Sequence, residues 1–196
     1  MASEGYNIAG TGANVDGFSN PANVTTKDGV YSTSSTLNIG NSSDSVKGYN
    51  FQFSIPTGST IDGILLRIKG RRSTNPCTLY GFMSRDNGSN WRAPTTGSAY
   101  YALTTSNAEY VFGGATDLWS ETWTAEQIND NTNLNGRARA NWAGEGDAIG
   151  YIDSIEITVY YTPPAGYGHD VNEVLATNIA KVSEVLTADI AKINET

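Results

Sequence analysis

Trp91, Tyr100 and Tyr101 are the side chains whose chemistry suits a ligand best. They flank the stretch Thr95-Thr96-Gly97-Ser98, and flat rings beside neutral hydroxyl groups are what a sugar requires. The same rings can equally pack on their own domain or against another subunit, and packing is the role expected to dominate. Other constellations are weaker. The single histidine, His169, falls in a Pro/Gly stretch and gives a serine nucleophile no buried, oriented base. Cys77 alternates with apolar residues on a strand pattern and reads as a small core residue. Asp147 with Asp153 or Glu145 could form a carboxylate pair for glycoside hydrolysis, but these acids lie in a loop and at a strand flank, where solvated or turn-forming acids are usual. One Cys and one His cannot build a Cys/His metal cluster, and no spacing resembles an EF-hand or a phosphate loop. No catalytic residue, metal site or cofactor is expected, and the chain reads as a non-enzyme.

The elements that would position these rings follow from alternation. Only 16% of residues are charged while 10% are aromatic, a composition that argues for a folded, turn-rich β protein. Period-two runs bounded by turn residues cover 46–55, 61–71, 77–83, 108–112, 134–142 and 148–161. Ile64, Leu66 and Ile68 share one face; Ile155, Ile157 and Val159 are expected inward, with Glu156, Thr158 and Tyr160 outward. Six such strands predict an all-β fold, an antiparallel β-sandwich of jelly-roll type spanning residues 1–162. Thr124 and Gln127 form a capping-box pattern that predicts a short helix over 124–128. The four tryptophans, all in the second half of the body, are expected mainly to close the core.

Charge excludes other partners. A net charge of −8 opposes a broad nucleic-acid footprint, and the one basic run, Arg67-Ile68-Lys69-Gly70-Arg71-Arg72, alternates like the outer face of a strand. No apolar run is long enough to span a membrane, and the start lacks the features of a secretion signal, so synthesis in a cytoplasm is expected.

Residues 163–169 read as a Pro/Gly linker, and beyond it the periodicity changes. Residues 172–182 are echoed eleven positions later by 183–193, placing Val171, Leu175, Ile179, Val182, Leu186, Ile190 and Ile193 on one stripe of a predicted helix over 170–196. That stripe predicts oligomerisation, with a homotrimer favoured, or anchoring to a partner protein.

Two local patterns resemble known families. Ser84-Arg85-Asp86-Asn87-Gly88-Ser89-Asn90-Trp91 is similar to the Asp-box hairpin of sialidase-like propellers, with Asn90 where Thr is usual. Those proteins carry several copies and an arginine cluster, so the single copy implies a structural hairpin. As a set, Asn20-Pro21-Ala22-Asn23, Phe51-Gln52-Phe53-Ser54-Ile55-Pro56, Thr116-Asp117-Leu118-Trp119 and Tyr151-Ile152-Asp153-Ser154-Ile155 resemble a β-sandwich module of tailed-bacteriophage structural proteins. The unit Asn178-Ile179-Ala180-Lys181-Val182 is similar to terminal repeats of phage-like proteins. The resemblance implies a non-enzymatic virion protein, assembled in the host cytoplasm, that displays its sandwich as a capsid decoration, head fibre or tail-associated domain. Its partners would be its own copies and a capsid or tail protein. The alternative is a carbohydrate-binding or host receptor-binding module, with Trp91, Tyr100 and Tyr101 in contact with a surface glycan.

Overall fold

The computed structural model describes residues 1–164; the predicted stripe from Val171 to Ile193, with its expected oligomerisation, and most of the linker lie outside the described residues. Two five-stranded antiparallel sheets face each other. The first sheet runs β1 (Ala2–Ile8), β10 (Gly150–Thr162), β5 (Thr60–Arg72), β8 (Ala108–Gly114), with β3 (Ser32–Thr33) also paired to β10. The second runs β2 (Thr11–Asp16), β4 (Ser43–Tyr49), β9 (Asn135–Trp142), β6 (Cys77–Ser84), β7 (Tyr101–Ala102). Among the described residues the one α-helix, α1 (Ala125–Asn129), carries the predicted capping box: Thr124 Oγ1 accepts from the Gln127 amide while the Gln127 side chain accepts from the Thr124 amide.

The sheets differ in what they send to the core. The first contributes bulk, with Ile64, Leu66, Ile68, Phe112, Ile155, Ile157 and Val159 all fully buried. The second answers with small residues on β9 and β6. A Cβ at Gly81 would stand 2.6 Å from the Phe112 ring, and one at Gly136 would stand 2.9 Å from Leu66. Large side chains of one layer thus sit against near-bare backbone of the other, which is how a sandwich reaches interior packing density. Cys77 belongs to this core, and burial pushes its thiol up to about 11.

Three expectations are corrected. Residues 50–55 alternate as foreseen, with Phe51, Phe53 and Ile55 buried, yet they form no strand. Asn50 and Gln52 take positive φ (62° and 56°), and the local amides bond instead to Asn131, Glu4 and Asn129. Glu156 and Thr158 lie on the outer side of β10 but are buried. Central position in the sheet and ion pairs with Arg67 and Lys27 close Glu156 off from water. Of the tryptophans, Trp119 and Trp123 fill the core and half-buried Trp142 packs against it, so Trp91 alone departs from the expectation that they close the core.

The basic run of β5 does form an outer face, but not a bare one. Arg67 pairs with Glu156 and Glu109, Lys69 with Asp153, and Arg71 lies over the Tyr151 and Tyr31 rings.

Candidate functional site

The outer face of the second sheet gathers three cations and four aromatic rings. Antiparallel register aligns Lys47 of β4, Arg137 of β9 and Phe82 of β6 in one line across the sheet; the next line holds Ser45, Arg139 and Tyr80. Arg137 and Arg139 are one pleat repeat apart, about 6.8 Å along the strand. Their guanidinium groups are interleaved with rings. Arg137 lies 4.2 Å from the Phe82 centroid and 4.4 Å from that of Trp91, and Arg139 lies 4.9 Å from Tyr80 and 5.1 Å from Phe82. Tyr80 and Phe82 stand nearly parallel at 6.4 Å, and Tyr100 tilts against Tyr80 at 5.3 Å.

Trp91 reaches this face because of the loop before it. Ser84 Oγ donates to Asp86 Oδ1 at 2.6 Å and accepts from the Gly88 amide at 2.9 Å; Asn90 donates to Asp86 through its backbone and its side chain. Asn87 and Gly88 take the positive φ values that the turn demands. The chain then rejoins β6 through mutual backbone hydrogen bonds between Met83 and Arg92. The Asp-box pattern therefore acts as a structural turn, as its single copy implied, and its product is the position of one indole. Lys47 ties the turn to the sheet by donating to the Asn87 carbonyl and Oδ1.

These bonds give the turn a pH signature. Hydrogen bonds from the Ser84 and Asn90 side chains lead the causes that hold the Asp86 carboxyl near 2, below its ordinary 3.8. A depressed pKa contributes stability that is complete above about pH 4 and is lost as pH falls through 2. Acid titration of the Trp91 environment, followed by fluorescence in a chain with the other tryptophans replaced by Phe, should therefore show a transition below pH 3. Asp86→Asn should remove it; a transition unchanged in that variant would dissociate the turn from Asp86.

The sequence-derived candidates divide. Trp91 and Tyr100 both join the face, and Tyr100 remains 55% exposed. Tyr101 turns away: its ring packs edge-on to Phe112 at 5.2 Å and near Tyr110, and its hydroxyl donates to the Val111 carbonyl. Glu145 and Asp147 are exposed in the loop before β10, whereas Asp153 is buried and committed to Lys69, Asn107 and the Gly29 amide. They form no facing pair for glycoside hydrolysis. His169 lies outside the described residues. Among the described residues no group of His, Cys, Asp and Glu is arranged to hold a metal ion, and no helix is long and apolar enough to cross a membrane.

Lys47, Tyr80, Phe82, Arg137 and Arg139 were not foreseen as site residues. Their signal was present: Arg137 and Arg139 alternate with Ala138 and Ala140, and residues 134–142 contain no acid. Burial, followed by the neighbouring Arg139 charge, draws the Arg137 guanidinium down to about 10, and burial lowers Lys47 as well. Arg137 remains protonated at neutral pH.

An open cleft of about 620 Å³ lies elsewhere, between β1 and residues 50–52. Its one acid, Glu4, accepts from the Ser54 amide, and the cleft gathers no comparable set of rings and cations.

No protein-family model and no curated protein matches the chain. Among solved structures, the chain is similar to TmCBM61 in complex with beta-1,4-galactotriose at 14% identity, over 80% of this chain and 86% of that one, with a TM-score of 0.34. The xylan-binding module CBM15 gives 12% identity over 84% and 97% with a TM-score of 0.36. The CBM22-1 xylan-binding domain from Paenibacillus barcinonensis Xyn10C gives 9% over 84% and 95% with a TM-score of 0.35.

Proposed function

We propose that the protein is a non-catalytic carbohydrate-binding module that holds a polysaccharide against the outer face of its second sheet. One observation carries this reading: Tyr80, Phe82, Trp91 and Tyr100 converge, each still partly exposed, on a rigid sheet beside hydrogen-bonding groups from β4 and β9. A sugar ring offers an apolar CH face and a polar hydroxyl rim. Aromatic faces take the first, and Lys47, Arg137, Arg139 and Asn141 can meet the second. Strands hold such contacts more precisely than loops do, and the exception, Trp91, is fixed by the bonded turn around Asp86.

The sequence resemblance to phage structural modules supplies a setting for this activity. A sandwich that binds a host-surface polysaccharide, joined to a particle through residues 170–196, unites the two expectations drawn from the sequence.

The test is titration of the full chain with oligosaccharides of neutral and acidic polysaccharides, beside co-sedimentation with phage particles. Binding should quench tryptophan fluorescence, and Trp91→Ala should weaken it by about tenfold or more, as expected for a central aromatic contact. Absence of binding to every glycan would overturn the reading.

A further inference from the structure

We propose that the β9 row takes an acidic sugar, specifically the carboxylate of a hexuronate unit in a polyuronate chain. This rests on the glycan-binding reading above and names its substrate class. The two faces of the sandwich differ in how their charges are neutralised. On the outer face of the first sheet, Arg67, Lys69 and Lys27 have carboxylate partners in Glu156, Glu109 and Asp153, and only Arg71, stacked on Tyr31 and Tyr151, has none among the described residues. On the second, Lys47, Arg137 and Arg139 have none among the described residues, although the chain carries 20 acids against 12 basic residues. Lys47 and Arg137 are also directly opposite across the strands, an arrangement of like charges that is unfavourable without an anion between or above them.

Orphan atoms sharpen the chemistry. Asn135 Oδ1, Arg137 Nε, Arg139 Nε and Asn141 Oδ1 are buried without a hydrogen-bond partner, and they occupy successive outward positions of β9. The order along the strand is acceptor, donor, donor, acceptor. Asn135 is fully buried, so Arg137, Arg139 and Asn141 are the members that face outward only half-covered; because buried polar atoms left unmatched are costly, these three indicate a ligand that completes them. A neutral sugar supplies hydroxyl groups for the amide oxygens but no charge for the guanidinium groups. A sulfate or phosphate group supplies acceptors only. A uronate supplies both, as a sulfated sugar would, but its anion is a planar carboxylate fixed on the ring: that plane matches the guanidinium fork, a hydroxyl donates to the Asn141 carboxamide oxygen, and the ring has a CH face for Trp91 or Tyr100.

The deciding experiment titrates the full chain, at low salt, with oligogalacturonate, the same oligomer as its methyl ester, a neutral β-1,4-linked galactan oligomer and a dextran sulfate oligomer. Oligogalacturonate should bind at least about tenfold more tightly than its methyl ester, from loss of charge-assisted hydrogen bonds, and should weaken as salt is added. Arg137→Gln and Arg139→Gln should each lower affinity about tenfold for the acid form and by a smaller factor for the ester, so that the acid-to-ester ratio falls. If either variant fails to fold, the acid-to-ester ratio of the native chain still decides. Equal affinity for acid and ester, or for the neutral galactan, overturns the uronate proposal while leaving glycan binding intact. Tighter binding to dextran sulfate shows general polyanion attraction and overturns it too. Binding of no saccharide removes both readings. If uronate binds only after Asp170, Glu173, Glu184, Asp189 and Glu195 are changed to their amides, the chain's own C-terminal segment is the occupant and the proposal fails.

Discussion

Asp117→Ala should remove a large part of the stability of the sandwich and release the segment between Trp91 and Tyr100. Asp117 is fully buried and accepts from the Thr95 amide and hydroxyl (2.8 and 2.6 Å), the Thr96 amide and hydroxyl (2.7 and 2.9 Å) and the Trp119 amide (2.7 Å). Alanine would strand three backbone donors, at roughly 1–3 kcal/mol each. It would also unseat Trp119, whose backbone sits at φ 57° and whose indole donates to the Ile64 carbonyl. A loss of about 4 kcal/mol or more is expected, against the 5–15 kcal/mol typical of a whole domain. Burial alone would raise this carboxyl, but the Thr95, Thr96 and Trp119 bonds outweigh it and hold it below the ordinary 3.8. Its contribution is therefore present above about pH 4 and fades as pH falls through the depressed value. Urea unfolding at pH 7 measures the loss; a midpoint shift smaller than that of a typical surface substitution would show that the segment is held by other contacts. Asp117→Asn should fall between, since its amide oxygen accepts but its NH2 group brings new donors to a site that needs none.

The central strands were legible because both halves of their alternation are present: β5, β6, β9 and β10 pair a buried apolar row with a polar or aromatic outer row. Of the edge strands only β8, foreseen over 108–112, was legible. Ala2–Ile8 and Thr11–Asp16 each lie at the border of a sheet and carry mostly half-exposed residues, so the pattern that marks a strand is absent from them. The reverse error at 50–55 has the same root, since alternating burial is produced there by packing of Phe51, Phe53 and Ile55 without a ladder.

For the site, ring identity pointed to Trp91 and Tyr100, and neighbouring Tyr101 shared the chemistry but not the direction. An odd–even step at the start of β7 sends Tyr100 to the outer face and Tyr101 toward the core. In the sequence Arg137 and Arg139 are only part of the strand pattern over 134–142. What distinguishes them, the rings on either side and the missing carboxylates, depends on the register of β4, β9 and β6 and on the turn that delivers Trp91. None of these is a property of one segment of sequence.

The contrast between the two outer faces yields an opposite pair of stability effects. Glu156 is 98% buried in its side chain and bonded to Arg67 and Lys27, and Arg67 also covers the Tyr6 ring at 3.6 Å. Arg67→Ala leaves that carboxylate with Lys27 and the Ser154 hydroxyl, which donates to it at 3.1 Å. Removing one partner of a buried pair costs about 3–5 kcal/mol, and the remaining lysine at 2.6 Å places the expected loss toward the lower end. Arg67→Met with Glu156→Leu should recover most of it, since apolar replacement of a whole buried pair is often neutral. Arg137→Met on the other face should behave differently. It removes a desolvated charge with no carboxylate partner among the described residues and keeps an unbranched chain against Phe82 and Trp91, so stability should be unchanged or higher. Residues kept against the interest of stability are those that serve a ligand. Urea midpoints of the single variants decide the point: a loss for Arg137→Met as large as that for Arg67→Ala would make Arg137 a structural residue and leave the β9 row without a reason to be held open.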